Sequence, residues 1–168
     1  MLLLKDPLVL YYFAFPILLL GLAIIVLDRK KFKSLFWFGL IWGSVLTTII
    51  IFICDNLLNL VKYRHADPFT FFHLPVFFNF GWTPAIMMFL YFLPPKKPMY
   101  AFHIYILTFC IVNSINDELF HQIGLLEYIH WSALVRFLIS LPYFYFVAFH
   151  YLNMKSQGFF LDGDWLIG

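Results

Sequence analysis

Apolar residues run along this chain in five long blocks, separated by short clusters of charge, proline or glycine. The first block covers about residues 8–27 and ends at Asp28 and the basic cluster Arg29, Lys30, Lys31 and Lys33. The second covers about 35–60, and the third 74–93, stopped by Pro94-Pro95-Lys96-Lys97-Pro98. The fourth covers about 99–120 and the fifth about 131–152. Each is close to the roughly 20 apolar residues that cross a hydrocarbon layer as a helix. The pattern predicts an all-α polytopic membrane protein, a bundle of five transmembrane helices. Residues 1–155 form its single domain, and 156–168 a short cytoplasmic or interfacial tail carrying Asp162 and Asp164 among aromatic and aliphatic residues. The paired prolines after the third block explain its tight stop, because proline lacks a backbone donor and disfavours helix in the residue before it.

Composition agrees with this class. Of 168 residues, 63% are hydrophobic and only 12% charged, about half the charge of an ordinary soluble domain. Five spans and their loops use up the chain and leave no room for a soluble domain. A net charge of +2 is too small and too localised to point to nucleic acid. Basic residues in short loops set orientation. Arg29, Lys30, Lys31, Lys33, Lys96, Lys97 and Lys155 lie on one side, and Lys5, Lys62 and Arg64 on the other. The larger set marks the cytoplasmic side, giving N-terminus out and C-terminus in. The first span reads as a retained anchor, since its basic residues follow the apolar stretch and no small-residue cleavage site is seen. Cys54 and Cys110 fall at different depths and suggest no disulfide.

The informative residues are the polar ones inside the spans. A helix rising from Leu35 reaches Asp55 after 20 residues, about 30 Å higher, at the outer edge of the hydrocarbon. Asn59 and Lys62 follow at i+4 and i+7 on the same face. Asn113, Asp117 and His121 share a face of the fourth span, flanked by Asn116 and Glu118. Asn79 lies near the outer end of the third span, and Arg136 near that of the fifth. Intramembrane ionisable groups are costly and turn inward to pair. Four spans therefore bring polar groups to one depth, and an outward-opening pocket lined by Asp55, Asn59, Asn79, Asn113, Asp117, Glu118, His121 and Arg136 is expected. For each of these residues the plainer alternative is a helix end wetted at the interface, or, for Arg136, a structural ion pair.

Candidate chemistry is sparse. Glu118 and His121 spell Glu-x-x-His, which sets a carboxylate and an imidazole on one helix face as in di-iron bundles. Those bundles need two such pairs. Asp55, Glu118 and His121 could at most make a mononuclear site. No metal is predicted. His103 and His150 near the inner surface lack a haem-attachment pattern, and no cofactor is expected. His65 and His73 flank an outer turn. No hydrolase, P-loop or dinucleotide motif occurs. Gly39 and Gly43 form a Gly-x-x-x-Gly pair suited to close helix packing, inside the monomer or in a dimer. Aromatics crowd the third span (Phe77, Phe78, Phe80, Trp82, Phe89, Tyr91 and Phe92), where Pro75 and Pro84 offer kinks.

Several of these features occur in a familiar order: the outer acid of the second span, the Pro-Lys turn after the third, and Glu118 on the fourth. The segment Gly124-Leu125-Leu126-Glu127-Tyr128-Ile129-His130-Trp131 follows, then His150-Tyr151. Over about residues 35–155 the chain resembles an uncharacterised family of small five-helix membrane proteins from Bacillus and related spore-forming Firmicutes. Gly-Leu-x-x-Tyr-x-x-Trp is the most specific motif, and the first span matches least. The resemblance implies the fold and a bacterial cytoplasmic membrane, draws attention to Asp55, Glu118, Tyr128 and Trp131, and carries no reaction.

Three functions remain open. The first is a membrane protein that binds a lipid-like small molecule, or a partner transmembrane helix, in the outer pocket. The second is an enzyme using carboxylic acid chemistry on a lipid or isoprenoid substrate, with Glu118 as acid, Asp55 as its partner and Asp117 as a further candidate. The third is an oligomeric channel or transporter, which the nearly unbroken apolar inner half of the spans disfavours. The expected partners are membrane lipids, with a homo-oligomer or a partner helix as further possibilities and no nucleic acid.

Overall fold

The computed structural model describes residues 8–65, 70–71 and 74–158. Expectations for the acidic-aromatic tail from 159 onward, for Lys5 and for His73 lie outside the described residues. The chain is mostly helical. Helix α1 is Val9–Val26. A continuous helical run then extends from Arg29 to Leu57, made of α2 (Arg29–Gly39), a π-helical segment (Leu40–Val45), α3 (Leu46–Phe52) and a second π-helical segment (Ile53–Leu57). After it come strands β1 (Val61–Tyr63), β2 (Thr70–Phe71) and β3 (Leu74–Pro75), and helices α4 (Val76–Phe80) and α5 (Trp82–Tyr91). Helix α6 (Met99–Gln122), strand β4 (Leu126–Tyr128) and helix α7 (Ala133–Ser156) complete the order.

Four of these helices are long and apolar enough to cross a membrane: α1, the Arg29–Leu57 run, α6 and α7. Their outward faces carry large apolar side chains such as Leu18, Ile25, Trp37, Ile104 and Leu138, each more than half exposed. Apolar residues around the whole circumference suit a helix in lipid. The stretch expected as the third span, where Pro75 and Pro84 offered kinks, is two helices, α4 and α5, that meet at Gly81. Pro84 offers no N–H to the Phe80 carbonyl, so an α-helix cannot run through. The Gly81 N–H turns back to the Phe78 carbonyl at 3.0 Å, and α5 starts afresh at Trp82.

Short as it is, α5 sits at the centre of the molecule. Ile86, Met87, Phe89 and Leu90 are all but completely buried. They pack with Leu35 and Phe38 of α2, Phe102, Ile106 and Cys110 of α6, and Phe144 and Val147 of α7. The Phe89 ring meets Phe109 and Phe144 edge-on or tilted, each at 4.9 Å between centroids. The Gly-x-x-x-Gly pair is used here, within the monomer. A Cβ on Gly39 would stand 2.7 Å from Met87 Cγ, and one on Gly43 only 2.4 Å from the Trp82 carbonyl oxygen. The second span and α5 thus touch backbone to backbone at Gly43.

At the end of the bundle away from the Arg29–Lys33 cluster, β1 and β4 pair antiparallel, Val61 opposite Tyr128 and Tyr63 opposite Leu126. Local sequence sets up this ribbon. Gly124 takes a positive φ of 83°. The Gly124 N–H bonds the His121 carbonyl at 3.0 Å and the Leu125 N–H bonds that of Phe120 at 2.9 Å, a glycine-terminated helix end that turns the chain straight into β4. Ser132 then caps α7, its hydroxyl accepting from the Val135 N–H at 3.3 Å. Tyr12 of α1 pins the ribbon, its hydroxyl lying 2.6 Å from the Arg64 carbonyl and 2.8 Å from that of Leu125.

The Gly43 contact gives the first prediction. Gly43→Ala drives a methyl into the α5 backbone and lowers unfolding stability by about 1–3 kcal/mol, the usual cost of overpacking. Gly21→Ala meets nothing within 4 Å and leaves stability unchanged or slightly raised. Thermal unfolding in detergent compares the two, and a Gly43→Ala protein as stable as Gly21→Ala contradicts the close approach.

Candidate functional site

Beneath the ribbon lies a buried polar network. Its centre is an ion pair across α6 and α7, with Arg136 Nε 3.6 Å from Asp117 Oδ1 and both side chains about nine-tenths buried. The second carboxylate oxygen accepts from the Trp131 indole N–H at 3.0 Å. Arg136 also donates through Nη2 to Asn113 Oδ1 at 3.2 Å. The Asn113 amide donates to the Ser140 hydroxyl at 2.6 Å, and that hydroxyl donates to the Arg136 carbonyl at 2.7 Å. The guanidinium lies 5.4 Å from the centre of the Trp82 ring, a cation–π contact that brings in α5. Helix spacing makes this possible. Asn113 and Asp117 lie four apart on α6, Arg136 and Ser140 four apart on α7, so both pairs face across one seam. A void of about 20 Å³ beside Asn113, Arg136 and Ser140 has room for one water and for nothing larger.

Above the network the surface opens. A cleft of about 580 Å³ is lined by Asp55, Asn56 and Asn59 from the end of the second span, Lys62, Tyr63 and Arg64 from β1 and its flank, and Glu127 and Ile129 from β4 and beyond. Arg64 and Glu127 form an exposed ion pair, with Arg64 Nε donating to Oε2 at 2.8 Å. Asp55 is buried, turned inward by the π-helical segment that holds it. Tyr63 stands between cleft and network. Burial, and after it the Asp117 carboxylate, pushes its phenol well above the usual range, so Tyr63 faces the cleft as a neutral group.

The expected site residues divide. Asn113, Asp117 and Arg136 meet in the network, while Asp55 and Asn59 line the cleft. The single helical face expected for Asp55, Asn59 and Lys62 does not form, because the helix ends at Leu57 and Asn59 takes a left-handed turn with φ 49°. The three residues still line one cleft through that turn and β1. Glu118 and His121 belong to neither site. The Glu118 carboxylate accepts from Gln122 at 3.3 Å on its own helix. His121 is exposed, its Nδ1 2.9 Å from the Leu126 carbonyl and its ring stacked on Tyr128 at 3.9 Å. A carbonyl can only accept, so Nδ1 carries the proton. Asn79 lies elsewhere, buried against the second span.

Among the described residues no three His, Cys, Asp or Glu side chains are grouped to hold a metal. His103 bonds Tyr145 at 2.6 Å, and His150 is stacked between Phe38 and Phe146. Sequence reasoning passed over Ser140 and the roles of Trp82, Tyr63, Arg64 and Glu127. Only Ser140, one turn beyond Arg136, left a local signal. Comparison with protein-family models, with curated proteins and with solved structures finds no match.

The network yields the second prediction. Arg136→Met strands the Asp117 carboxylate and destabilises the protein by about 3–5 kcal/mol, as expected when one partner of a buried pair is removed. The double variant Asp117→Leu/Arg136→Met recovers much of that loss. Unfolding titrations in mixed micelles measure both. A single variant as stable as the parent would show that the pair carries no such burden.

Proposed function

We propose that this is a five-span protein of a bacterial cytoplasmic membrane, ribbon end outward, whose cleft binds the polar head of a lipid-like amphiphile. One observation carries the reading: a roomy polar cleft, open at the ribbon end, that sets two acids (Asp55 and Glu127) and two bases (Lys62 and Arg64) around the amides of Asn56 and Asn59. Balanced charge of both signs suits a zwitterionic head group. The orientation rests on the basic residues, with Arg29 to Lys33, Lys96, Lys97 and Lys155 at the opposite end. In this reading α4 and α5 together make the third crossing in chain order, which brings the four long helices to five spans. The Asp117–Arg136 network then acts as the rigid floor of the site.

The two other functions find less support. An enzyme with Glu118 as acid and Asp55 as partner needs both carboxyls at one place, and Glu118 does not line the cleft. A channel needs a polar path through the other half of the bundle. That half is filled by Phe38, Phe89, Phe102, Ile106, Phe144 and Val147.

The test is native mass spectrometry of protein released from nanodiscs of phosphatidylethanolamine, parent beside Lys62→Gln. Lys62 is exposed on β1 opposite Glu127, so removing its charge without setting a like charge across the ribbon leaves the fold intact, as unfolding temperature verifies. The parent retains a lipid adduct, and the variant loses it by about tenfold, the effect of one charge-assisted hydrogen bond. Equal adducts on both proteins, or none on either, would sink the reading.

A further inference from the structure

A second hollow opens at the other end of the bundle, between the last turn of α1 and the first turns of α2. It holds about 440 Å³ and is lined by Ile24, Leu27, Arg29, Lys30, Phe32 and Lys33. The helices join through Leu27 and Asp28, whose ψ angles of 132° and 146° break the helical run. The end of an apolar helix is thereby set against the start of a basic one. The floor is fixed in place. Leu27 belongs to the core and Phe32 packs against it, its ring stacked on Phe36 at 6.2 Å. Ile24 is 60% exposed, so on that side the hollow opens toward lipid. Arg29 and Lys33 are four apart and Lys30 and Lys33 three apart, which puts the three cations on one face of α2. Each is exposed, and none has an ion-pair partner among the described residues. Asp28 stands beside the hollow without lining it, and positive charge stays in excess.

We propose that this hollow holds one anionic glycerophospholipid, its phosphate among Arg29, Lys30 and Lys33 and the start of an acyl chain against Ile24, Leu27 and Phe32. The argument is complementarity to both walls at once. The three cations call for an anion, and the apolar wall calls for hydrocarbon. A free phosphate would leave Ile24, Leu27 and Phe32 uncovered. An acyl chain alone would leave the cations unmatched. An acidic peptide in water would meet the cations but not Ile24, which faces lipid. Only a lipid with an anionic head answers all of these together, and basic pockets beside transmembrane helices are a usual seat for such heads. Long Lys and Arg stems suit the place, since their methylenes lie along apolar surface while the charge reaches head-group level. Among the described residues no acid lines the hollow, so the ammonium of a zwitterionic head finds no partner there. The cleft at the ribbon end, where Asp55 and Glu127 stand beside Lys62 and Arg64, has the opposite character. The two sites lie at opposite ends of the bundle, and neither rests on the other.

The experiment is native mass spectrometry of the full chain released from nanodiscs that mix phosphatidylglycerol and phosphatidylcholine in equal parts. Three proteins are compared: the parent, Arg29→Gln/Lys33→Gln and Lys96→Gln/Lys97→Gln. The parent retains one phosphatidylglycerol in preference to phosphatidylcholine, and excess inorganic phosphate does not displace it. Arg29→Gln/Lys33→Gln lowers that occupancy by about tenfold or more, the effect of removing two basic residues at a lipid surface. Lys96→Gln/Lys97→Gln takes two charges from the same end, outside the hollow, and leaves occupancy unchanged. Equal unfolding temperatures show that all three proteins are folded. Equal retention of the two lipids by the parent, or none of either, overturns the proposal. So does an equal loss in both double variants, which would mean diffuse attraction to the surface, or displacement by inorganic phosphate, which would mean an anion site without lipid. Phosphatidylglycerol that binds only after Asp162→Asn/Asp164→Asn also overturns it, and would give the hollow to the chain's own acidic tail.

Discussion

A charged pair buried away from water calls for partners for its remaining hydrogen-bonding capacity, and the Asp117–Arg136 pair places that demand on the elements around it, met at Asp117 Oδ2 and Arg136 Nη2 while Arg136 Nε has no hydrogen-bond partner among the described residues. Its needs fix the register of α6 against α7, since Asn113 and Ser140 must arrive at the same height. They fix where α7 begins, since Trp131 just ahead of the Ser132 cap must reach the carboxylate. They also give α5 its place, through the Trp82 ring against the guanidinium. Replacing the pair by apolar residues is often neutral or better for stability alone. What the pair contributes is a unique alignment in a bundle whose other contacts are apolar and tolerant of sliding.

The second organising feature is the interruption of regular helix. Two π-helical segments in the second span and a hinge between α4 and α5 each re-aim side chains that a straight helix would send elsewhere. The segment Ile53–Leu57 turns Asp55 and Cys54 inward. The hinge at Gly81 lets Trp82 and Gly43 meet closely while leaving Asn79, three residues earlier than Trp82, on a separate flank. Such departures from α-geometry concentrate at functional positions, and here one of them builds a wall of the cleft.

The long helices are legible in the sequence because a span is specified by length and apolarity, both of which are local. The hinge was partly legible in Pro84, and its position at Gly81 was not, because it depends on which carbonyl is left without a donor. The ribbon of β1 and β4 escaped notice. Each strand is three residues long, and their partnership spans more than sixty positions. For the site, the cost of burying charge pointed to Asn113, Asp117 and Arg136. The same four-residue spacing also drew in His121, which lies outside the network, its ring stacked on Tyr128 and its Nδ1 bonded to the Leu126 carbonyl. Glu118 sits one residue off the seam, about 100° around the helix, and faces Gln122.

One bond says something about assembly in time. The Tyr12 hydroxyl, on α1, shares its single hydrogen between the carbonyls of Arg64 and Leu125. The second of these is synthesised 113 residues later. The Arg64 carbonyl, 52 residues after Tyr12, and the rings of Phe77 and Phe78 reach α1 first, so the bond to Leu125 completes a clasp already half made. The clasp between α1 and the ribbon therefore closes only after α6 has been made and the chain has turned back at Gly124. The ribbon end of the bundle is thus tied by a thread laid down before either of its strands.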